Sequence, residues 1–323
     1  MKAVVYDTYG PPDVLQLREI EEPQVGDTDV LVRVRAAAAN PLDWYAFTGT
    51  PLVTRPGLGL KKPERARLGA DLAGVVDGVG KDVTRFKPGD EVFGTAKGSF
   101  AELVAVGERG AIVTKPANLS FEAAAAVPVA GLTALQGLRD KGEARAGQQV
   151  LINGAAGGVG TFAVQIAKVL DTEVTAVCST RNVDLARSLG ADRVIDYTSQ
   201  DFTLDSQRYD LVLDIAGSRP WSELKRVLRR DATVVIIGGP KASRMFGPIG
   251  HLVGTALASL PSSQKATFFI SKEDADDLDT LREMIETSKL HPVVEKTYPL
   301  SQVPEAMTYL GTGHVKGKLV ITI

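Results

Sequence analysis

The stretch Val150-Leu-Ile-Asn-Gly-Ala-Ala-Gly-Gly-Val-Gly-Thr161, followed by FAVQIAKVL, constrains the fold of this chain more than any other. A short apolar run enters a glycine-rich turn, and the turn opens an amphipathic segment of helical period. Glycines let backbone come close to a pyrophosphate and let the helix pack near the strand. The helix N-terminus then offers free N–H groups and the positive end of its dipole. The fingerprint aligns as A-A-G-G-V-G over Ala155–Gly160, with Ala155 in place of the first glycine. A strict G-x-G-x-x-A match at Gly158, Gly160 and Ala163 puts the turn inside the helix, so the first register is preferred. Ala156, Gly157, Gly158, Val159 and Gly160 are therefore candidate dinucleotide-binding residues.

The residues around this motif supply its context. After residue 120, apolar runs at Val150–Asn153, Glu173–Cys178, Arg193–Asp196, Leu211–Asp214 and Thr233–Gly238 alternate with helical stretches. Those stretches are Val159–Leu170, Asn182–Leu189 and Trp221–Leu228. Such alternation argues for βαβ units around a doubly wound parallel sheet, whose buried strands read as continuous apolar runs. In NAD binders an acidic residue at the end of the second strand reads the ribose. Here that strand ends in Cys178-Ser179-Thr180-Arg181-Asn182, two hydroxyls and a guanidinium with no carboxylate. Those donors suit a 2′-phosphate, so Ser179 and Arg181 point to NADPH. Tyr197, at the end of the third strand, is placed to flank the same pocket or to serve as a surface turn residue.

Before residue 120 the chain reads differently. Short β-rich pieces (KAVVY, DVLVRVRAAA, LAGVVDGVG, DEVFG, FAELVAV) alternate with Gly, Pro and Asp turns, as in a small barrel or sandwich. Thr48–Leu68 has no periodicity and is expected to be a long surface loop. The closing KGKLVITI needs a strand to pair with, and the N-terminal barrel is one candidate. Lys+Arg 37 against Asp+Glu 39 leaves no electrostatic footprint for nucleic acid. No apolar stretch is long enough to span a bilayer, and the N-terminus has no signal-peptide core. Cys178, the single cysteine, excludes an intrachain disulfide framework and suits a reducing compartment, so a cytoplasmic location is expected.

AAAANPLDW, LGADLAGVVDGVGKDVTRFKPGDEVFG, AAAVPVAGLTAL, LINGAAGGVGTFAVQIAK, SLGADRVIDY and KGKLVITI carry a resemblance across nearly the whole chain. The sequence resembles zinc-free medium-chain dehydrogenase/reductases, nearest the NADPH:quinone oxidoreductases of zeta-crystallin-like and reticulon-interacting-protein-like type. The resemblance implies an α/β chain with a GroES-like β-barrel domain at 1–121, completed by 292–323, and a Rossmann domain at 122–291. It implies an active-site cleft between them, and a homodimer whose interface lies near Lys265–Ser271.

Zinc-dependent relatives place a cysteine where this chain has Asn40 and a histidine where it has Ala70. Three protein ligands are needed for catalytic zinc, and His251, His291 and His314 stand isolated, so no metal is expected. The family pattern instead points to Asn40, Tyr45 and Thr133 as residues lining the nicotinamide and substrate. Asn40 would offer an amide N–H, Tyr45 a phenol, and Thr133 would orient the carboxamide. Asp43 matches the pattern as a structural residue. Ile237 and Gly238, read as the end of the fifth strand, and Phe269 and Ile270, read with Phe268 in the sixth, complete the cofactor set. The implied activity is hydride transfer from NADPH to a quinone or an activated alkene. Two alternatives stay open, an enoyl-thioester reductase and a non-enzymatic NADPH-binding protein. In the first of these, Arg55, Lys61, Lys62, Arg65 and Arg67 of the long loop would meet an anionic carrier.

Overall fold

The computed structural model describes residues 1–57, 59–64, 67–239 and 247–323. The chain begins with β1 (Lys2–Val5), β2 (Gln16–Glu19), β3 (Asp29–Ala38), helix α1 (Pro41–Thr48), β4 (Asp71–Val79), β5 (Glu91–Thr95), β6 (Leu103–Gly107) and β7 (Ile112–Thr114). Helices α2 (Phe121–Ala125) and α3 (Pro128–Gln136) follow. Then come β8 (Gln149–Asn153), α4 (Gly158–Val169), β9 (Glu173–Cys178), α5 (Val183–Ser188), β10 (Arg193–Asp196) and β11 (Tyr209–Asp214). Next are α6 (Trp221–Leu224), β12 (Leu228–Ile236), α7 (Gly247–Ser259) and β13 (Lys265–Phe268). The chain closes with α8 (Ala275–Glu286), β14 (Val294–Pro299), α9 (Val303–Gly311) and β15 (Lys318–Thr322). Contacts group Met1–Leu132 with Glu273–Ile323 as one unit and Thr133–Lys272 as the other.

The first unit is the GroES-like one. Over the first seven residues of β3, Asp29–Arg35, buried side chains recur at every second position, so one face turns to the core, and Ala36, Ala37 and Ala38 are all buried. Its sheet runs β14-β15-β3-β4-β5-β7, with β6 on β3. The terminal β15 pairs antiparallel with β3, Val320 opposite Ala38, so the end of the chain does complete the barrel sheet. The contact boundaries differ from the expected 121 and 292. Helix α2 packs on β3, β4 and β5, and α8 packs on β7, so both lie with the barrel strands. Asn118 Nδ2 donates to Ile285 O at 3.0 Å and ties the two stretches together.

Part of the long loop is regular structure. Leu52–Gly57 winds into a 3-10 helix. Arg55 donates from Nε to Gly49 O at 3.0 Å and lies over the Tyr9 ring, 4.5 Å from its centroid. Its charge is thus engaged within the fold rather than set out for a carrier. Arg65 lies outside the described residues. Gly49 ends α1 in the left-handed conformation, φ 60°, where an added Cβ would stand 2.6 Å from Tyr9.

The second unit is a Rossmann-type parallel sheet of order β10-β9-β8-β11-β12-β13. From β8 the chain winds outward to β9 and β10, then returns to place β11 on the other side. The β8/β11 boundary is the topological switch point, where open parallel sheets bind ligands beyond their strand ends. Residues 160–167 of α4 are all buried, as expected of a helix packed tightly on the sheet. The expected helix over Trp221–Leu228 is shorter. It gives way to a 3-10 turn at Lys225–Val227, and β12 already begins at Leu228. Exposed Arg229, Arg230 and Asp231 conceal that strand start from any reading of apolar runs.

Candidate functional site

The glycine-rich turn joins β8 to α4 beside the switch point. Gly154 and Ala155 both donate their N–H to Val177 O at 3.1 Å, which folds the turn against β9. Gly157 is the N-cap of α4 and supplies no capping side chain. The first-turn amides of Gly158, Val159 and Gly160 therefore have no capping side chain to accept from them, the arrangement in which a helix N-terminus can take an anion. Gly160 has no room for a side chain. A Cβ there would stand 2.1 Å from Gly154 O and 2.6 Å from the Ala155 carbonyl carbon. Ala156 is buried within the turn. The turn is built as a phosphate-binding turn requires, and the residues present fit a dinucleotide.

The end of β9 holds the next candidates. Ser179 is half-buried and accepts a hydrogen bond from Asn182 Nδ2 at 3.2 Å. Arg181 is exposed, within the 3-10 turn Thr180–Asn182. Tyr197 is exposed, and its N–H donates to Cys178 O at 3.0 Å, which sets it beside the β9 tip. The backbone segments that carry these three therefore meet at the β9 tip.

At the other strand tips the structure corrects two assignments. Ile237 and Gly238 lie beyond the end of β12, and Phe269 and Ile270 beyond the end of β13; only Phe268 belongs to the strand. Ile270 is 90% exposed, which excludes a core role. Ile237, Phe269 and Leu213 side chains converge on Gly137, each within 3.5 Å of where its Cβ would be. Thr133, on α3, donates from Oγ1 to Ser271 Oγ at 3.1 Å. Gln136, one turn on, exchanges two hydrogen bonds with the Lys272 backbone. Helix α3 is thereby fastened to the segment after β13.

Sequence reasoning missed a polar pair across the switch point. Asn153 and Asp214 end the adjacent strands β8 and β11, and Asn153 Nδ2 donates to Asp214 Oδ1 at 2.7 Å. Asp214 is wholly buried, and its Oδ2 lies 3.9 Å from His251 Nε2 on α7. His251 therefore does not stand isolated: it is a mostly buried side chain beside the Asp214 carboxylate. Only strand pairing brings Asn153 and Asp214 together, so no local signal announces them.

In the barrel unit, Asn40 and Tyr45 sit at the two ends of one turn of α1. Asn40 is 2% exposed, and its side chain is fully committed. Nδ2 donates to Asp71 Oδ2 at 2.9 Å and to Ala38 O at 3.2 Å, while Oδ1 accepts from Lys318 Nζ. Lys318 also reaches Asp71 Oδ2 at 3.0 Å, and the Val129 N–H donates to Asp71 Oδ1 at 2.8 Å. Both hydrogens of the Asn40 amide are thus engaged inside the fold in this structure. Zinc does not fit here either. Ala70 has no donor atom, and the Lys318 ammonium at Asn40 Oδ1 would repel a divalent cation.

Tyr45 differs. It is half-buried, and its hydroxyl makes no hydrogen bond among the described residues. Burial raises its phenol above the usual value, so the proton stays on Oη at neutral pH and can be donated.

Asp43 accepts from the Asn40 N–H at 2.8 Å. Burial pushes its carboxyl up to about 7, against the backbone hydrogen bond from Asn40 that lowers it. The folded chain thus holds this proton more tightly than the unfolded chain. The stabilisation is complete below about pH 4 and is lost as pH rises through about 7. Three units at about 1.36 kcal/mol each bound the effect at about 4 kcal/mol. Asp43→Asn is expected to flatten the fall of Tm across that window, measured as the difference from the parent at each pH.

Residues 26–117 match the alcohol dehydrogenase GroES-like domain, and residues 189–321 match a family described as zinc-binding dehydrogenase. The chain is 35% identical to the mitochondrial NAD(P)H oxidoreductase RTN4IP1 of Bos taurus, over 100% of this chain and 89% of that protein. It is 35% identical to the chloroplastic NADPH-dependent alkenal/one oxidoreductase of Arabidopsis thaliana, over 99% of this chain and 79% of that protein. Among solved structures, the quinone oxidoreductase from Coxiella burnetii superposes with a TM-score of 0.88 at 31% identity, covering 100% and 99% of the two chains.

Proposed function

Because this chain belongs to the zinc-free medium-chain dehydrogenase/reductase family of NADPH:quinone oxidoreductases, we propose that it reduces a quinone or an activated alkene with NADPH. One observation carries the reading: the uncapped glycine turn at the switch point, closed so tightly that Gly160 admits no Cβ. Ala156, Gly157, Gly158, Val159 and Gly160 receive the pyrophosphate through backbone amides. Ser179 and Arg181 take the 2′-phosphate, with Tyr197 at its side. Ile237, Gly238, Phe269 and Ile270 line the nicotinamide end, and Thr133, steadied by Ser271, orients the carboxamide. NADPH, when bound, supplies the hydride.

As hydride arrives, negative charge gathers on the acceptor oxygen, and a donor already in place stabilises it. Tyr45 keeps its proton at Oη and is that donor; solvent supplies the proton that completes the reduction. Asn40 serves as a positioning residue, fixing the start of α1 through Asp71 and Lys318. The same proposal includes a homodimer through the β13 edge near Lys265–Ser271. β13 pairs with β12 on one side and has no strand on its outer side among the described residues, and Leu257 on α7 and Leu260 just after it are 60% and 76% exposed. A cytoplasmic location rests on the single thiol Cys178, while relatives carry mitochondrial and chloroplastic names. No helix of the described residues is long and apolar enough to cross a membrane.

The test is NADPH oxidation by the purified chain on addition of an ortho-quinone or an enone. Turnover is expected, and Tyr45→Phe should lower kcat by about tenfold while leaving NADPH affinity unchanged, less than the full 10²–10³ of a buried oxyanion donor. Arg181→Ala should weaken NADPH but not NADH, as loss of a charge-assisted contact worth about 1.5–3 kcal/mol requires. Tight NADPH binding with no turnover on either acceptor would favour the non-enzymatic reading.

A further inference from the structure

The reading of Ser179 and Arg181 as the 2′-phosphate corner, on which the following rests, began from the lack of a carboxylate at the tip of β9. Sheet pairing brings one there. β10 lies parallel against β9, with Asp196 opposite Cys178. Asp196 Oδ2 accepts from Thr180 Oγ1 at 2.6 Å, and Thr180 stands between Ser179 and Arg181 in the chain. Asp196 Oδ1 accepts from the N–H and hydroxyl of Thr198 at 3.0 and 2.8 Å. The Thr180 hydroxyl, the Thr198 N–H and the Thr198 hydroxyl hold the carboxyl below its usual range, so it is ionised at neutral pH. Its field reaches the β9 tip: burial first, then the Asp196 charge, pushes the Cys178 thiol up to about 11.

We propose that Asp196 is a specificity-determining residue for the cofactor, a fixed negative charge that restrains NADPH binding and keeps NADH usable. A 2′-phosphate is repelled by a carboxylate held against the loop that carries its own ligands. A ribose 2′-hydroxyl instead finds an acceptor. The arrangement also spends the Thr180 proton on Asp196, which leaves Ser179 and Arg181 as the donors to the phosphate. Preference at this corner is therefore the balance of Arg181 against Asp196, and the second of these belongs to a different strand from the one that sequence patterns inspect.

Fluorescence titration of the full chain with NADPH and, separately, NADH tests this. Asp196→Asn is expected to tighten NADPH by about fivefold at low salt, the scale of one unit charge removed a few ångströms away in a high-dielectric site. NADH should bind no tighter, and the NADPH gain should vanish near 1 M salt, where the screening length is about 3 Å. Thr180→Val leaves the charge in place and should not reproduce the gain; an equal gain would assign the effect to a loosened loop and overturn the proposal. An unchanged NADPH/NADH ratio in Asp196→Asn, with Arg181→Ala still selective against NADPH, would overturn the proposal and leave the corner intact. Arg181→Ala without selectivity would remove the corner itself, and Asp196 with it.

Discussion

Gly160→Ala is expected to lose NADPH binding and to destabilise the parallel-sheet unit by about 3 kcal/mol or more, the upper range for overpacking. The obstruction is backbone, not a movable side chain: Gly154 O and the Ala155 backbone, 2.1 to 2.7 Å from the added carbon. Relief would require the β8–α4 turn to open, and the turn is pinned by the Gly154 and Ala155 amides on Val177 O. Gly157→Ala is the matched control. Its nearest neighbour would be Gly154 O at 3.7 Å, an ordinary contact, so stability should change by about 1 kcal/mol or less. That methyl would nevertheless stand at the mouth of the first-turn amides, and NADPH affinity should fall by about tenfold, equal to 1.4 kcal/mol. The chain holds two tryptophans, Trp44 in the barrel unit and Trp221 in the other. A Trp44→Phe background lets Trp221 fluorescence report urea unfolding of the parallel-sheet unit alone. Full NADPH affinity in Gly157→Ala would show that the turn is structural and cradles no phosphate.

What the sequence made legible follows the range of the interactions. The strands Glu173–Cys178 and Arg193–Asp196 agree with expectation to the residue; the first is a nearly continuous buried run, and the second, at the sheet edge, buries Ile195 between polar ends. The phosphate turn was equally readable, since its parts are contiguous. Leu228–Ile236 was not, because its first half carries Arg229, Arg230 and Asp231. Interactions between distant positions left no local trace. Asn40 is expected as a donor to substrate because it matches a position that lines the nicotinamide and substrate in the family pattern. Its actual partners, Asp71 and Lys318, lie 31 and 278 residues away. Asp196 escaped notice for the same reason: its bearing on Thr180 depends on which strand lies beside β9, and that is a property of the sheet.

Lys318→Met should be the most damaging single change in the barrel unit, destabilising it by about 3–5 kcal/mol, the cost of leaving a buried charge uncompensated. Asp71 is wholly buried and Lys318 is 3% exposed, so water cannot replace the lost ammonium. The methionine fills the space of the alkyl chain, which separates the charge effect from a packing defect. Three hydrogen-bond donors would become two at Asp71, the amides of Asn40 and Val129. The Asn40 Oδ1 would also lose its partner, freeing the side chain to flip. Adding Asp71→Asn should recover at least half of the loss, because a neutral amide at position 71 removes the uncompensated charge and can donate to a flipped Asn40 Oδ1. Such recovery is the signature of a coupled pair in a double-mutant cycle. With Trp221→Phe as background, Trp44 fluorescence in urea reads the barrel unit by itself, and the midpoint should shift at constant m-value. Additive losses in the double variant would mean that Lys318 acts through packing of β15 against β3. The charge pair would then have no part in holding Asn40, and the start of α1 that carries Tyr45 would owe its position to the barrel alone.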